Sequence, residues 1–253
     1  MIRYWSRLFA GGLAVVAAGS LSGLPSLAGV RHLADGSSSI LAKAKAINLK
    51  VSDLPTTTRW ATSPAAASPK AELAVGKKAV ACIKKGGPVS PDPFGTSGVT
   101  GGVVVVDVTA PTYFQKGATL THLPSATSEV VFLKTAPEAL ADLVAIGRGP
   151  SLACLAAQLA SDSALQGAGK VKAAASFMSA PRHGAGKGGI HIRFLESGGN
   201  LPGTLKIYDD VFYYVQGPAE VSLTFINLGS AFGLTSEVSV ISKVMARAEA
   251  DAG

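Results

Sequence analysis

From residue 171 onward, apolar and polar side chains alternate with a period of two, and this constrains the fold more than any other feature. "KVKAAASFMSA", "GIHIRFLES", "GTLKIYDDVFYYVQG" and "AEVSLTFINLG" each read as a strand, because successive strand side chains point to opposite faces. Short connections join them, with Gln216-Gly217-Pro218-Ala219 as the last turn, so the run predicts sequential antiparallel strands. Ile190, Ile192 and Phe194 fall on one face, and His191 and Arg193 on the other. Val221, Leu223 and Phe225 likewise share a face. A closing helix is expected over Ser236 to Ala250, with Val238, Ile241, Met245 and Ala248 as its buried stripe.

Before residue 171, helical spacing alternates with isolated strands. Ser68 is a good N-cap and Pro69 suits the first helical position, so a helix is expected through "KAELAVGKKAVACI" to Gly86 and Gly87. "GVVVVDV" and "EVVFLK" are β-branched runs bounded by turn residues and predict strands. "TAPE", residues 135 to 138, is a capping box opening a helix that stops at Gly147. "SLACLAAQLAS" predicts another helix from Ser151, carrying Cys154 in its first turn. "INLKVSDLP" alternates and ends at Pro55, and "TTTRWATSPAAASP" reads as a loop holding Trp60. Helices mixed with antiparallel strands give an α/β (α+β) domain over 47–251, preceded by a linker over 29–46 with some helix around "ILAKAKA". With 47% hydrophobic and 15% charged residues, a packed core is expected and disorder is excluded.

The first residues carry an address. Arg3 and Arg7 precede the apolar run "LFAGGLAVVAAGSL", and "GLPSLAG" then offers small residues at Ser26 and Ala28. This is the layout of a secretory signal peptide over 1–28, cleaved after Ala28. The competing reading is an uncleaved anchor, for which the glycines, serines and proline are poor membrane-spanning material. Export gives the two cysteines a meaning, since thiols outside the cytosol pair. A bridge between Cys82 and Cys154 closes a loop of about 70 residues and contributes roughly 4 kcal/mol in the chain-entropy account. The alternative is two free, buried thiols. Losing Arg3 and Arg7 leaves 21 basic and 16 acidic residues, a net +5 that suits anionic partners such as headgroups or wall polymers. No Arg-rich tract accompanies it, so nucleic acid is not expected.

Candidate chemistry is sparse. "RHGAGKGG", residues 182 to 189, fails as a phosphate-binding loop: Pro181 stands where the first glycine belongs and Gly188 where the hydroxyl belongs. It reads as a hairpin connection. The histidines, His32, His122, His183 and His191, lack metal-ligand spacing, so neither metal nor cofactor is expected. His191 and Arg193 make either a polar site on the sheet or a solvated strand face. Asp209 and Asp210 are adjacent and point to opposite faces unless a bulge intervenes, and a bulge or bend is expected there. Lys77, Lys78, Lys84 and Lys85 cluster around the first helix, where solvation explains them. Phe212, Tyr213 and Tyr214 are the densest aromatic group, with Tyr213 opposite in face to the other two. One set is expected in the core and the other along a groove, which makes these residues, with His191 and Arg193, the candidate binding surface.

The order of "SDLPTTTRW", a helix ending in Cys82, the helical "SLACLAAQLA", "IYDDVFYYVQGPAEVSLTFINLG" and the final "VISKVMARA" resembles the LpqN-like exported proteins and lipoproteins of actinobacteria. It is also similar to the wider PsbP-like fold. The resemblance spans roughly Leu49 to Arg247. It implies an α/β/α sandwich with a central antiparallel sheet, supports pairing Cys82 with Cys154, and implies a non-catalytic envelope protein. The lipid-bearing N-terminal cysteine of the lipoproteins is absent, which favours a secreted or wall-associated product with at most peripheral membrane contact. The expected function is binding or scaffolding of an envelope protein, wall polymer or lipid. The alternatives are a carrier of an apolar small molecule or lipid, which needs a deep cavity, and a hydrolase, which needs His191, Arg193 or the aspartates to converge in a cleft.

Overall fold

A computed structural model describes residues 30–32, 37–63, 102–117, 124–147, 152–154, 156–157, 171–182, 189–198 and 205–252. The leader, the helix expected after Ser68, its lysines, Cys82, His122 and His183 lie outside the described residues. The described strands are β1 (Val30–His32), β2 (Trp60–Ser63), β3 (Val104–Thr109), β4 (Thr112–Gln115), β5 (Ser125–Leu133), β6 (Val171–Met178), β7 (Ile190–Gly198), β8 (Leu205–Gln216) and β9 (Ala219–Leu228). The helices are α1 (Ser37–Ile47), α2 (Ala136–Ile146) and α3 (Leu234–Ala252).

Alternation in the second half does what its period requires. β6, β7, β8 and β9 pair antiparallel in sequence order, and β9 returns to pair with β5, which pairs with β3. The path across the nine-stranded sheet is β1-β3-β5-β9-β8-β7-β6, with β4 and β2 branching from β5. All of these pairings are antiparallel. Register runs unbroken through Asp209 and Asp210, so the bulge expected there is absent and the two carboxylates face opposite sides. The ladder irregularity lies instead between Val104 and Val106.

Both faces of the sheet are covered, which makes an α/β sandwich. On one face α1 and α3 bury Ala44, Ile47, Val240, Ile241 and Val244 against Val106, Val130, Phe212, Val221, Leu223 and Phe225. The stripe of α3 therefore includes Val240 and Val244, while Val238 is only half-buried. On the other face α2 buries Ala139 against Val104, Val131 and Leu133. The Thr135 hydroxyl accepts from the Glu138 N–H, and the Glu138 carboxylate accepts from the Thr135 N–H at 2.8 Å, closing the box that starts α2.

Two segments differ from expectation. The supposed linker holds β1, and the helix expected around "ILAKAKA" is there as α1 but is packed, with Ala44 and Ile47 buried and the helix in contact with α3. Trp60 lies in β2, not in a loop, because β4 supplies the missing partner. The chain between α1 and β2 is tied to α3. Arg247 donates from Nη1 and Nη2 to the two Asp53 carboxylate oxygens at 2.8 and 2.6 Å, and from Nη2 to the Ile47 and Asn48 carbonyls. Lys243 Nζ donates to the Asp53 carbonyl at 2.9 Å. The acid of "SDLP" and the arginine of the last helix thus form one fork-shaped ion pair.

Cys154 is disulfide-bonded, and there is no free cysteine among the described residues. Around it, residues 152–154 and 156–157 are helical, as the sequence predicts.

Candidate functional site

Register alone builds the polar site. Asp210 of β8 stands opposite Arg193 of β7, and His191 lies two residues along the same face. Asp210 Oδ1 lies 2.7 Å from His191 Nε2 and accepts from Arg193 Nε at 2.7 Å. Asp210 Oδ2 accepts from Arg193 Nη2 at 3.0 Å. The carboxylate is therefore gripped by a two-pronged guanidinium, and this hydrogen bond raises the Arg193 pKa above its ordinary value. The His191 ring stacks on Phe212 with centroids 4.0 Å apart.

This cluster is not a solvated strand face. Asp210 is 0% and His191 2% exposed, because Glu237 in the first turn of α3 lies over that side of the sheet. Glu237 is itself 0% exposed, and neither carboxylate oxygen has a hydrogen-bond partner. Burial, then the neighbouring Asp210 charge, pushes its carboxyl up to about 8, with Arg193 pulling the other way.

The geometry limits the chemistry. A triad-type base turns one ring nitrogen to a carboxylate and the other to a nucleophile. Here His191 Nδ1 faces the main-chain carbonyl of Ser179 at 3.4 Å. His191, Arg193 and Asp210 converge within hydrogen-bond reach, as a hydrolase requires, and the side chains of His191 and Asp210 are buried among the described residues. Asp209 points away to the opposite face.

Phe212, Tyr213 and Tyr214 do not line a groove. All three are buried, Phe212 and Tyr214 under α1 and α3 and Tyr213 on the opposite face, because helices cover both sides of the sheet. The Tyr214 hydroxyl donates to the Pro181 carbonyl at 3.1 Å, and burial raises its pKa. The opening of β7 packs so tightly on this tyrosine that a Cβ at Gly189 would sit 2.4 Å from its ring. The last glycine of "RHGAGKGG" thus serves a close approach between strands, and the segment connects the paired strands β6 and β7.

The opposite face carries buried acids that sequence reading did not assemble. Burial first, then Asp210 and Glu196, pushes the Asp209 carboxyl well above its usual range. Burial first, then Asp142, does the same to Glu220. Asp107, Glu129 and Glu196 are buried there too and have partners of their own. Among the described residues, no group of three or more His, Cys, Asp or Glu could hold a metal ion.

Exposed apolar surface lies elsewhere. Phe177 and Met178 are 39% and 44% exposed at the end of β6, the outermost strand. Sequence reading missed this because an edge strand is identified by sheet order, which the alternation of "KVKAAASFM" does not encode.

No protein-family model and no curated protein matches the chain. Among solved structures, the extracellular domain of PknH from Mycobacterium tuberculosis is similar at 13% identity and a TM-score of 0.33, over 63% of this chain and 69% of that one. A likeness at that level carries no inference about function. Among the described residues, no helix is long and apolar enough to cross a membrane.

Proposed function

We propose that this protein is an exported, disulfide-bonded binding module of the cell envelope that acts by contact and not by turnover. The observation that carries this reading is the open edge of β6. Its eight residues pair regularly with β7 on one side and have no partner strand on the other among the described residues. Lys172 is its single charge, and it holds no proline and no bulge. Soluble proteins ordinarily blunt such an edge with charge, proline or distortion, since an unpaired row of N–H and C=O groups invites another strand. Phe177 and Met178 add apolar area at its end.

Three further points support the reading. The polar cluster spends its hydrogen bonds on itself and on the Ser179 carbonyl, and among the described residues its histidine meets no nucleophile. The signal-peptide layout over 1–28 and the disulfide at Cys154 suit an extracytosolic address. The LpqN-like resemblance, which rests on segments now seen to be joined by Asp53 and Arg247, implies the same role. We take the product to be secreted or wall-associated, with cleavage after Ala28.

The test is cross-linking in intact cells followed by mass spectrometry. The native chain is compared with Ala174→Lys/Ser176→Lys, which places two like charges on exposed positions of β6. Cross-links to β6 that the double variant abolishes support the reading. Cross-links that map elsewhere and ignore the variant contradict it.

A further inference from the structure

We propose that β6 docks against β6 of a second copy of this chain, continuing the sheet across a twofold axis. This rests on the reading of β6 as a docking edge and names its occupant.

The argument is self-complementarity. Two antiparallel copies continue one sheet only if residues facing each other lie on the same face. Two same-face registers pair seven of the eight residues of β6, and the one that keeps both Phe177 and Met178 inside the ladder puts Ala175 opposite its own copy. Ala174 then faces Ser176, Ala173 faces Phe177, and Lys172 faces Met178. Each contact joins a small side chain to a small one, or a bulky one to a partner that yields to it. Phe177 lies over a methyl group, and Met178 lies along the aliphatic stem of Lys172.

Shifting by two residues loses this match. Centred on Ala174, the ribbon leaves Met178 without an opposing strand residue. Centred on Ser176, it leaves Lys172 beyond the pairing.

Charge agrees. The chain is basic, with a formal net charge of +7, or +5 without Arg3 and Arg7 of the leader, so two copies repel unless the contact keeps its cations apart. In the Ala175-centred register the two Lys172 side chains stand six residues apart along the ribbon, about 20 Å at a strand's rise and beyond the ~8 Å screening length of physiological salt. β1, at the other end of the sheet path, has three residues and offers much less ladder. An edge built for unrelated peptides would show pockets for alternate side chains. β6 instead carries small residues through its centre and its two bulky apolar residues at one end, an asymmetry that a twofold axis turns into a match.

The experiment is sedimentation velocity on the disulfide-intact exported chain across a wide concentration range, with three proteins. The native chain is expected to dimerise. Ala174→Lys/Ser176→Lys sets like charges directly opposite each other twice and should raise the dissociation constant by about tenfold or more. Ala174→Lys/Ser176→Glu sets lysine opposite glutamate twice and should restore the dimer. Both positions are exposed, so neither variant disturbs the core. A native chain that stays monomeric throughout overturns the proposal, and so does a dimer indifferent to the paired lysines. In either case, cellular cross-links to β6 that the paired lysines abolish would leave it as a docking edge for a different partner. Unaltered cross-links would remove that reading as well.

Discussion

Asp209 and Asp210 are neighbours in the chain with opposite solutions to burial. Asp210 is an ion pair, held by both prongs of Arg193 and by His191. Asp209, on the other face, has one carboxylate oxygen with no hydrogen-bond partner and a carboxyl pushed well up by burial, so the neutral acid is favoured. Replacing each by Asn should separate the two cases. Asp210→Asn leaves a part-buried guanidinium without its counter-charge and the His191 ring without its carboxylate partner, and should cost about 1–3 kcal/mol. Asp209→Asn substitutes one neutral group for another and should cost less than about 1 kcal/mol. Urea denaturation ranks the two, and the reverse order would refute the assignment. Glu237 makes a pH prediction. Between its ordinary value of 4.5 and about 8, the folded chain holds a proton that the unfolded chain has released. Stability is therefore fully present below that window and falls as pH rises through it. Asp209 and Glu220 slope the same way, so Glu237→Gln should flatten the decline without removing it. An unchanged slope in denaturation midpoints from pH 5 to 9 would contradict the burial assigned to Glu237. His191 and Arg193 were legible as face-mates from alternation. Their tie to Asp210 was not, because it depends on which residue of β8 stands opposite which of β7.

At the scale of elements, legibility follows where the ordering energy comes from. The capped α2 and strands β6 to β9 carry their own signals: Thr135 and Glu138 for the helix start, and period-two alternation for the strands. α1, β1 and β2 do not. α1 is rich in alanine and lysine with only a few buried contacts, and β1 and β2 are short strands held by β3 and β4. Tertiary partners fix them, so β1 and β2 read locally as linker and loop, and α1 shows only as some helix around "ILAKAKA". The β8–β9 hairpin shows local and tertiary demands meeting. Gly217 has φ of +55°, and a Cβ there would lie 2.4 Å from the Ala252 carbonyl at the end of α3. Gly217→Ala should therefore cost about 1–2 kcal/mol through backbone strain, and more if the end of α3 is displaced. A melting temperature equal to the native value would mean that the turn and the helix end do not constrain each other.

For the whole molecule, α/β class and antiparallel order were readable, whereas the sandwich layers came from the resemblance. That β6 has no second partner strand among the described residues was readable from neither. The aromatic cluster misled because its density suggests a surface, yet both faces of the sheet are covered and all three rings are buried. In the proposed reading, a leader over 1–28 and a bridge between the two cysteines place the chain outside the cytosol. A non-reducing peptide map should yield one linked peptide carrying Cys82 and Cys154, and free thiol at Cys82 would break the link between address and fold. The central claim is that this chain works through the outer side of β6. The most direct measurement is hydrogen exchange of the exported protein in its native envelope fraction against the isolated chain at low concentration. The account predicts amide protection gained across residues 171–178 in the envelope fraction and lost with Ala174→Lys/Ser176→Lys. Exchange along that strand that is equally fast in both settings would contradict it.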